Sequence, residues 1–292
     1  MKIIILDTET TGSAEADRIC QLSYLVCDEH GEILEVHNDL CTPPLPICFE
    51  AMAVHHITPE MLVGTPPCVE TTAFKRLVEL NIPDNLMVIQ NAEFDLGMLA
   101  KEGLNSQMRL IDTFRVLRAW HPLDTPHGLQ FKRYQWGLYK QEQPLIDKLG
   151  IVIKAHDALG DVIVLKHLYE KLIESHTVES MIELCSEPII LEYVPFGKNK
   201  GKRFEEVALN ARNDLRYMLD NFDLDGDLKA TLTHHLNTTR ANVVITIGFG
   251  KYKGKTPAEV AQTDPDYLMW LLNNAERLDS ETRKEITSVL NA

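Results

Sequence analysis

The sequence predicts an α/β fold, a mixed sheet flanked by helices, followed by two small hairpin-plus-helices modules. Three observations lead there. Short apolar, β-branched runs open the chain and are separated by turn signals, as strands joined in hairpins are. Helical periodicity enters later and interleaves with a further apolar run. Beyond about residue 186 the texture changes, and the chain repeats itself at an offset of 53.

Residues 2–7, Lys-Ile-Ile-Ile-Leu-Asp, read as a buried strand. Residues 19–27 and 33–38 follow as two more, parted by Asp28-Glu29-His30-Gly31. A proline-rich loop spans 42–47, and 86–90 is another apolar run. Asn91 is placed to cap a helix carrying Phe94, Leu96 and Leu99. Residues 112–119 read as a helix ended near Pro122. Residues 155–173 read as a long helix with Val162, Leu165, Leu168 and Leu172 on one stripe.

The repeat lays residues 196–221 over 249–274 without a gap, with 12 of 26 positions identical. Its core phrases are Phe196-Gly197-Lys198-Asn199-Lys200-Gly201-Lys202 and Phe249-Gly250-Lys251-Tyr252-Lys253-Gly254-Lys255. Each copy reads as a glycine-turned hairpin followed by two short helices, the second carrying Tyr217 or Trp270. A unit of about 50 residues is marginal alone, so the copies are expected to pack on each other or on the preceding domain. The domain reading is 1–178 first domain, 179–190 linker, 191–240 first module and 241–292 second module.

The 292 residues, 45% hydrophobic and 25% charged, suit one large or two modest globular domains and exclude a disordered or fibrous chain. No apolar stretch is long enough for a membrane span; residues 3–6 are cut by Asp7. Six cysteines without a Cys-x-x-Cys pair, and no export signal, read as reduced thiols in a cytoplasmic protein. The net charge of −14 is unevenly spread. Residues 1–187 carry 15 basic and 28 acidic groups, residues 188–292 carry 14 and 15. An acidic protein still binds a polyanion if metal neutralises its carboxylates and its basic groups are clustered.

Asp7 and Glu9 lie two apart at a strand end, so both project from one face. Burying them together is costly unless a cation compensates; the same pair also reads as acids solvated at the sheet rim. Asp95 falls in the first turn of its helix, where the helix dipole alone would favour it. Asp157 is a natural N-cap, which puts Asp161 inside the last helix and His156 in the loop before it. At about 100° per residue, His156 cannot share the helix face of Asp161, but it can hang over a metal that Asp161 holds. Four acids and a histidine are the parts of two-metal hydrolysis. Hard divalent ions about 4 Å apart prefer carboxylates, and a histidine can take a proton from water near neutral pH.

Asp7-Thr8-Glu9-Thr10-Thr11-Gly12, Asn91-Ala92-Glu93-Phe94-Asp95 and His156-x4-Asp161 resemble the three ordered motifs of the DEDD-type 3′–5′ exonucleases, in the subclass with a histidine base. Ala51-Met52-Ala53-Val54-His55-His56-Ile57-Thr58 is similar to the stretch those enzymes carry between the first two motifs. The resemblance covers about residues 1–175. The tail phrase, with Asp266-Tyr267-Leu268-Met269-Trp270-Leu271, resembles the C-terminal tail of one deoxyribonuclease of that kind, present here twice.

The resemblance implies a ribonuclease-H-like fold with metals at one sheet edge. Asp7, Glu9, Asp95 and Asp161 would hold two divalent ions, Mg²⁺ or Mn²⁺, and His156 would be the general base. The backbone of Thr10, Thr11 and Gly12 would receive the 3′-terminal nucleotide. His55 and Phe94 are candidates for contacts to its sugar or base, against readings as a loop histidine and a core phenylalanine. Gln90 departs from the family, which usually places a histidine there, and residues 134–153 form a longer connection than usual.

Lys198, Lys200 and Lys202 alternate in the first copy, and Lys251, Lys253 and Lys255 in the second. On an extended hairpin each trio would share one face suited to phosphates, with Tyr252 free to stack on a base; lysines also guard edge strands. The expected function is a metal-dependent exonuclease acting on DNA 3′ ends, single-stranded or frayed, releasing nucleoside 5′-monophosphates in repair or replication beside proteins of those processes. The rivals are an RNA 3′-end trimmer and a non-catalytic nucleic-acid-binding subunit.

Overall fold

Ile3–Thr10 forms β1, and its alternation organises everything around it. Ile3 and Ile5 point into one hydrophobic cluster, Ile4 and Leu6 into another on the opposite face. In the computed structural model, which describes residues 1–150, 153, 156–239, 245–275 and 278–291, β1 is the middle strand of five in the order β3-β2-β1-β4-β5. β2 (Ile19–Cys27) and β3 (Ile33–Leu40) run antiparallel; β4 (Leu86–Ile89) and β5 (Arg109–Asp112) are parallel to β1. The sheet is therefore mixed and flanked by helices, as the interleaved pattern predicts. The four-residue β5 was not legible, because its few residues merge with the helix that follows.

Chain order then gives α1 (Phe49–His55), α2 (Thr72–Leu80), α3 (Ala92–Lys101), α4 (Thr113–Trp120), α5 (Leu129–Gln135), α6 (Gln143–Leu149), α7 (Ala158–Ile173) and α8 (Val178–Ser186). Phe74 and Leu77 of α2, with Met98 and Leu99 of α3, fill one face of the sheet. Val162, Leu165 and Leu168 of α7, with Met181 of α8, fill the other. The long helix begins at Ala158; Ala155, which the sequence places in it, lies outside the described residues.

Helix capping differs from the local reading. Asn91 is the N-cap of α3, but it sits in the left-handed region (φ 65°) and its side chain caps nothing. Asp112 does that work from the end of β5. Its carboxylate accepts from the N–H groups of Asn91 (3.0 Å) and Ala92 (2.9 Å), and also from Phe114 (2.9 Å) at the start of α4. One buried acid thus satisfies the orphan donors of two helices. At the start of α7, the carbonyl oxygen of Gln21 accepts from Ala158 N (3.3 Å), and its amide donates to Asp157 (3.1 Å).

Met1–Glu192 and Gly226–Ala230 make one compact unit; Tyr193–Asp225 and Thr231–Ala292 make another. The sequence placed its breaks at 178–191 and at 240–241, the latter outside the described residues. Asp227 explains the assignment of its segment: it pairs with Arg115 of α4 (2.9 Å) and accepts from Ile189 N (3.0 Å).

The second unit contains α9 (Phe204–Asn210), α10 (Arg212–Asn221), the later part of α11 (Gly226–Thr238), α12 (Pro257–Ala261), α13 (Pro265–Asn274) and α14 (Ser280–Leu290). Backbone bonds recur at the sequence offset. Val194 N donates to Lys202 O (2.9 Å) as Ile247 N does to Lys255 O (2.8 Å), and Gly201 N donates to Val194 O as Gly254 N does to Ile247 O (both 2.8 Å). The two stretches meet through Arg216 on α10, which pairs with Glu281 on α14 (2.9 Å).

Tyr193 pairs antiparallel with Arg203, so the first copy does form a glycine-turned hairpin, but both lysine phrases are tight turns and their lysines do not line an extended strand. Gly197, Gly201, Gly250 and Gly254 all have φ between 76° and 86°, a region an L side chain avoids, so the chain reverses at each.

Replacing Asp112 with alanine strips caps from two helices at once and should cost about 2–4 kcal/mol, summing two caps. Urea unfolding of the full chain measures it. A loss under about 0.5 kcal/mol would show that the two helix starts do not depend on this carboxylate.

Candidate active site

Asp7 and Glu9 belong to the β1 face that carries Ile3 and Ile5, so they point toward α7. Asp161, one turn into α7, meets them: ligand oxygens of Asp7, Glu9 and Asp161 all lie within 4.8 Å of one another. Asp95 comes from α3, on the opposite face of the sheet. It reaches β1 by accepting from the backbone N–H (3.0 Å) and the hydroxyl (2.6 Å) of Thr8. Each helical layer therefore sends one carboxylate to the same strand end. The register slips at this end, Glu9 facing Gln21 and Thr10 facing Ile19, so β2 carries one extra residue there, Cys20.

Burial holds the Asp7 carboxyl well above the ordinary carboxylate range, and the charges of Asp95, Glu9, Asp161 and Asp157 push it further. Glu9 is pushed up to about 8, by burial first and then by Asp161 and Asp95. Asp95 is raised to about 7 by burial, against the opposing bonds from Thr8. Asp161 is also raised by burial, in spite of the nearby His156. Such a cluster is unfavourable as charges alone and favourable around a cation. An all-oxygen donor set such as these acids offer fits a hard divalent ion.

His156 stands exposed in the left-handed region (φ 59°), and its backbone N–H donates to Asp161 Oδ2 (3.2 Å). The structure thus brings the histidine to the acids from the loop side, as its place in the sequence predicts.

His55 is held by backbone on both sides of its ring. It is buried, Nδ1 accepts from Ile57 N (2.9 Å), and Nε2 therefore carries the proton given to Thr10 O (3.1 Å). Both ring nitrogens are committed to backbone, and burial lowers its pKa and keeps the ring neutral. With the bond from Cys48 N to Thr11 O (2.9 Å), His55 ties both ends of α1 to the end of β1. It thereby positions the loop. Phe94 is half-buried and packs against the core, with part of its ring exposed.

Thr10 and Thr11 are buried. Asp17 shapes their loop by accepting from Thr11 Oγ1 (2.6 Å) and Ala14 N (2.7 Å). A Cβ at Gly12 would fall 2.6 Å from an Asp17 oxygen, so a larger residue there would displace the carboxylate that braces Thr11 and Ala14.

The contacts of several supporting residues escaped the sequence reading. Gln130 of α5 donates to Asp161. Gln90 accepts from Thr113 Oγ1 (2.5 Å) and donates to His127 O (2.9 Å), fixing the start of α3 to α4. Gln21 and Ser23 are buried polar groups in a strand of apolar residues, a signal that could have marked them.

The family model "Exonuclease" matches residues 4–169, and the model "Exodeoxyribonuclease X-like C-terminal" matches residues 247–276. The chain is 28% identical over 242 residues to Exodeoxyribonuclease 10 of Escherichia coli (strain K12), covering 80% of this chain and 99% of that protein. It is 26% identical over 203 residues to the DNA polymerase III PolC-type of Pediococcus pentosaceus, covering 61% of this chain and 14% of that one. Among solved structures, "Exonuclease X in complex with 5′ overhanging duplex DNA" aligns with a TM-score of 0.48 and 22% identity, over 63% of this chain and 98% of that chain.

The raised carboxyls fix the sign of a pH effect. Folded groups whose pKa exceeds the unfolded value of about 4 bind extra protons, so their contribution is full below about pH 4 and is lost as pH rises through about 7 and 8. Metal-free protein should therefore melt at lower temperature at pH 8.5 than at pH 6, and Asp7→Asn should raise the melting temperature at pH 8.5. Added Mn²⁺ should restore the melting temperature, more at pH 8.5 than at pH 6. Melting that ignores both pH and Asp7→Asn would mean the acids do not repel one another.

Proposed function

The chain belongs to the exonuclease family, and we propose that it removes nucleoside 5′-monophosphates from the 3′ ends of DNA as a DEDD-type enzyme with a histidine base. The observation carrying this reading is the gathering of Asp7, Glu9 and Asp161 within 4.8 Å, beside Asp95, where burial and repulsion demand a cation. Those four acids would hold two divalent ions, Mg²⁺ or Mn²⁺. When bound, such ions supply Lewis-acid stabilisation to the attacking and leaving oxygens of a phosphodiester.

The chain's own groups provide the remainder. His156, exposed beside Asp161, takes the proton of the attacking water. Its backbone bond to Asp161 ties the base to a metal ligand, so the two keep register. Thr8 fixes Asp95, and Gln130 together with the His156 N–H fixes Asp161, leaving little side-chain freedom to lose on binding. The loop of Thr10, Thr11 and Gly12, braced by Asp17 and His55, offers backbone to the terminal nucleotide.

DNA as the substrate is supported by the likeness to Exodeoxyribonuclease 10 of Escherichia coli along almost all of that protein's length. The match at residues 247–276 adds to it, and residues 196–221 read as a second copy of the same module. Single-stranded or frayed 3′ ends in repair or replication are the setting this activity suits.

Oligonucleotides labelled at either end test the polarity. The expected first product is a mononucleotide from the 3′ label, dependent on Mg²⁺ and abolished by EDTA; first release from the 5′ label, or faster hydrolysis of matched RNA, would overturn the reading. His156→Ala should lower kcat by about 10²–10⁴ while Mn²⁺ affinity by calorimetry holds. Full activity in that variant would remove His156 from the role of base.

A further inference from the structure

Tyr252 is not the free ring the sequence suggested. Its hydroxyl donates to Asp264 (3.0 Å), its face carries the Lys251 ammonium (4.8 Å), and its ring packs edge-on to Tyr267 (5.1 Å). Beside the exposed Phe222, two exposed aromatics of the second unit stand on helices: Tyr217 on α10, 61% exposed and edge-on to Phe222 (6.0 Å), and Trp270 on α13, 54% exposed with one face toward Tyr267 (6.0 Å). They are equivalent at the 53-residue offset. The core does not require them, because the buried positions of both helices, Leu215 and Met218 against Leu268 and Leu271, are also equivalent and already filled.

What surrounds these rings is repeated as well. Three residues before each aromatic, hence one turn away on the same helix face, the helix grips the first lysine of the glycine turn. In the first copy Asp214 pairs with the Lys198 ammonium (2.7 Å) and accepts from Asn199 (2.9 Å). In the second, the Tyr267 hydroxyl accepts from Lys251 N (3.2 Å). Different side chains at positions 214 and 267 therefore hold the same lysine turn beside the same exposed ring.

The nearby carboxylates Asp214 and Asp264 are neutralised by Lys198 and Lys251. Lys200, Lys253 and Lys255 remain exposed and, among the described residues, without an ion pair. An exposed ring beside unpaired lysines offers a π-face to a base and cations to its phosphates.

We propose that Tyr217 and Trp270 are the stacking platforms of two equivalent binding sites for single-stranded DNA in the second unit. The inference does not need the catalytic reading, because it is tested without metal. The full-length protein is titrated in EDTA against fluorescein-labelled dT20 by anisotropy. Tyr217→Ala and Trp270→Ala should each raise Kd about tenfold, and the double variant about a hundredfold, from typical base–aromatic stacking. Tyr217→Phe and Trp270→Phe should restore most of the affinity, which a protein that has merely misfolded would not do. Lys253→Ala with Lys255→Ala should flatten the salt dependence, whereas the aromatic variants should leave its slope intact. A double aromatic variant that melts like the parent and binds dT20 within twofold of it would overturn the proposal and leave these rings to a protein partner. Hydrolysis of a trinucleotide, measured separately with Mg²⁺, fails only if the catalytic reading fails.

Discussion

Asp7, Glu9 and Asp161 sit closer together than like charges tolerate, with Asp95 adding its field from the other side of the sheet. That repulsion is the constraint around which the first unit is arranged. Without compensation the cluster opposes folding as pH rises, since each carboxyl must ionise where water is scarce. The fold tolerates it because the surroundings are otherwise heavily satisfied. Thr8, Gln130 and the His156 N–H each engage one of these acids, and two packed hydrophobic clusters press the helices onto the strand that carries the first pair.

The supporting hydrogen bonds show how such a site is held still. Asp112 caps α3, so the helix bearing Asp95 cannot fray at the end that matters. Gln21 does the same for α7 just ahead of Asp161. His55 and Cys48 fasten the helix after the proline-rich loop to Thr10 and Thr11. None of these groups belongs to the acidic cluster, yet each controls where one of its acids or the loop of Thr10 and Thr11 stands.

The second unit relies on a different economy. Its two stretches share backbone bonds at corresponding positions, and Arg216 with Glu281 links them. Asn199 and Tyr252 occupy matching positions but meet different carboxylates, Asp214 and Asp264. The turn geometry is therefore kept by its glycines, while the side chains that brace it have diverged.

The acids at positions 7, 9, 95 and 161, the histidine at 156, their order along the chain and the duplicated glycine-lysine phrase were all readable in the sequence, because strand alternation, helix starts and glycine turns are local patterns. The partners of those residues were not. Thr8 bonds Asp95 across 87 positions and Gln21 bonds Asp157 across 136, and no local periodicity encodes such pairings. Likewise, the sequence marked His55 and Tyr252 as chemically capable. Only the folded chain decided that their polar atoms are spent on Thr10, Ile57 and Asp264, because a buried donor or acceptor must be satisfied by whatever the packing brings beside it.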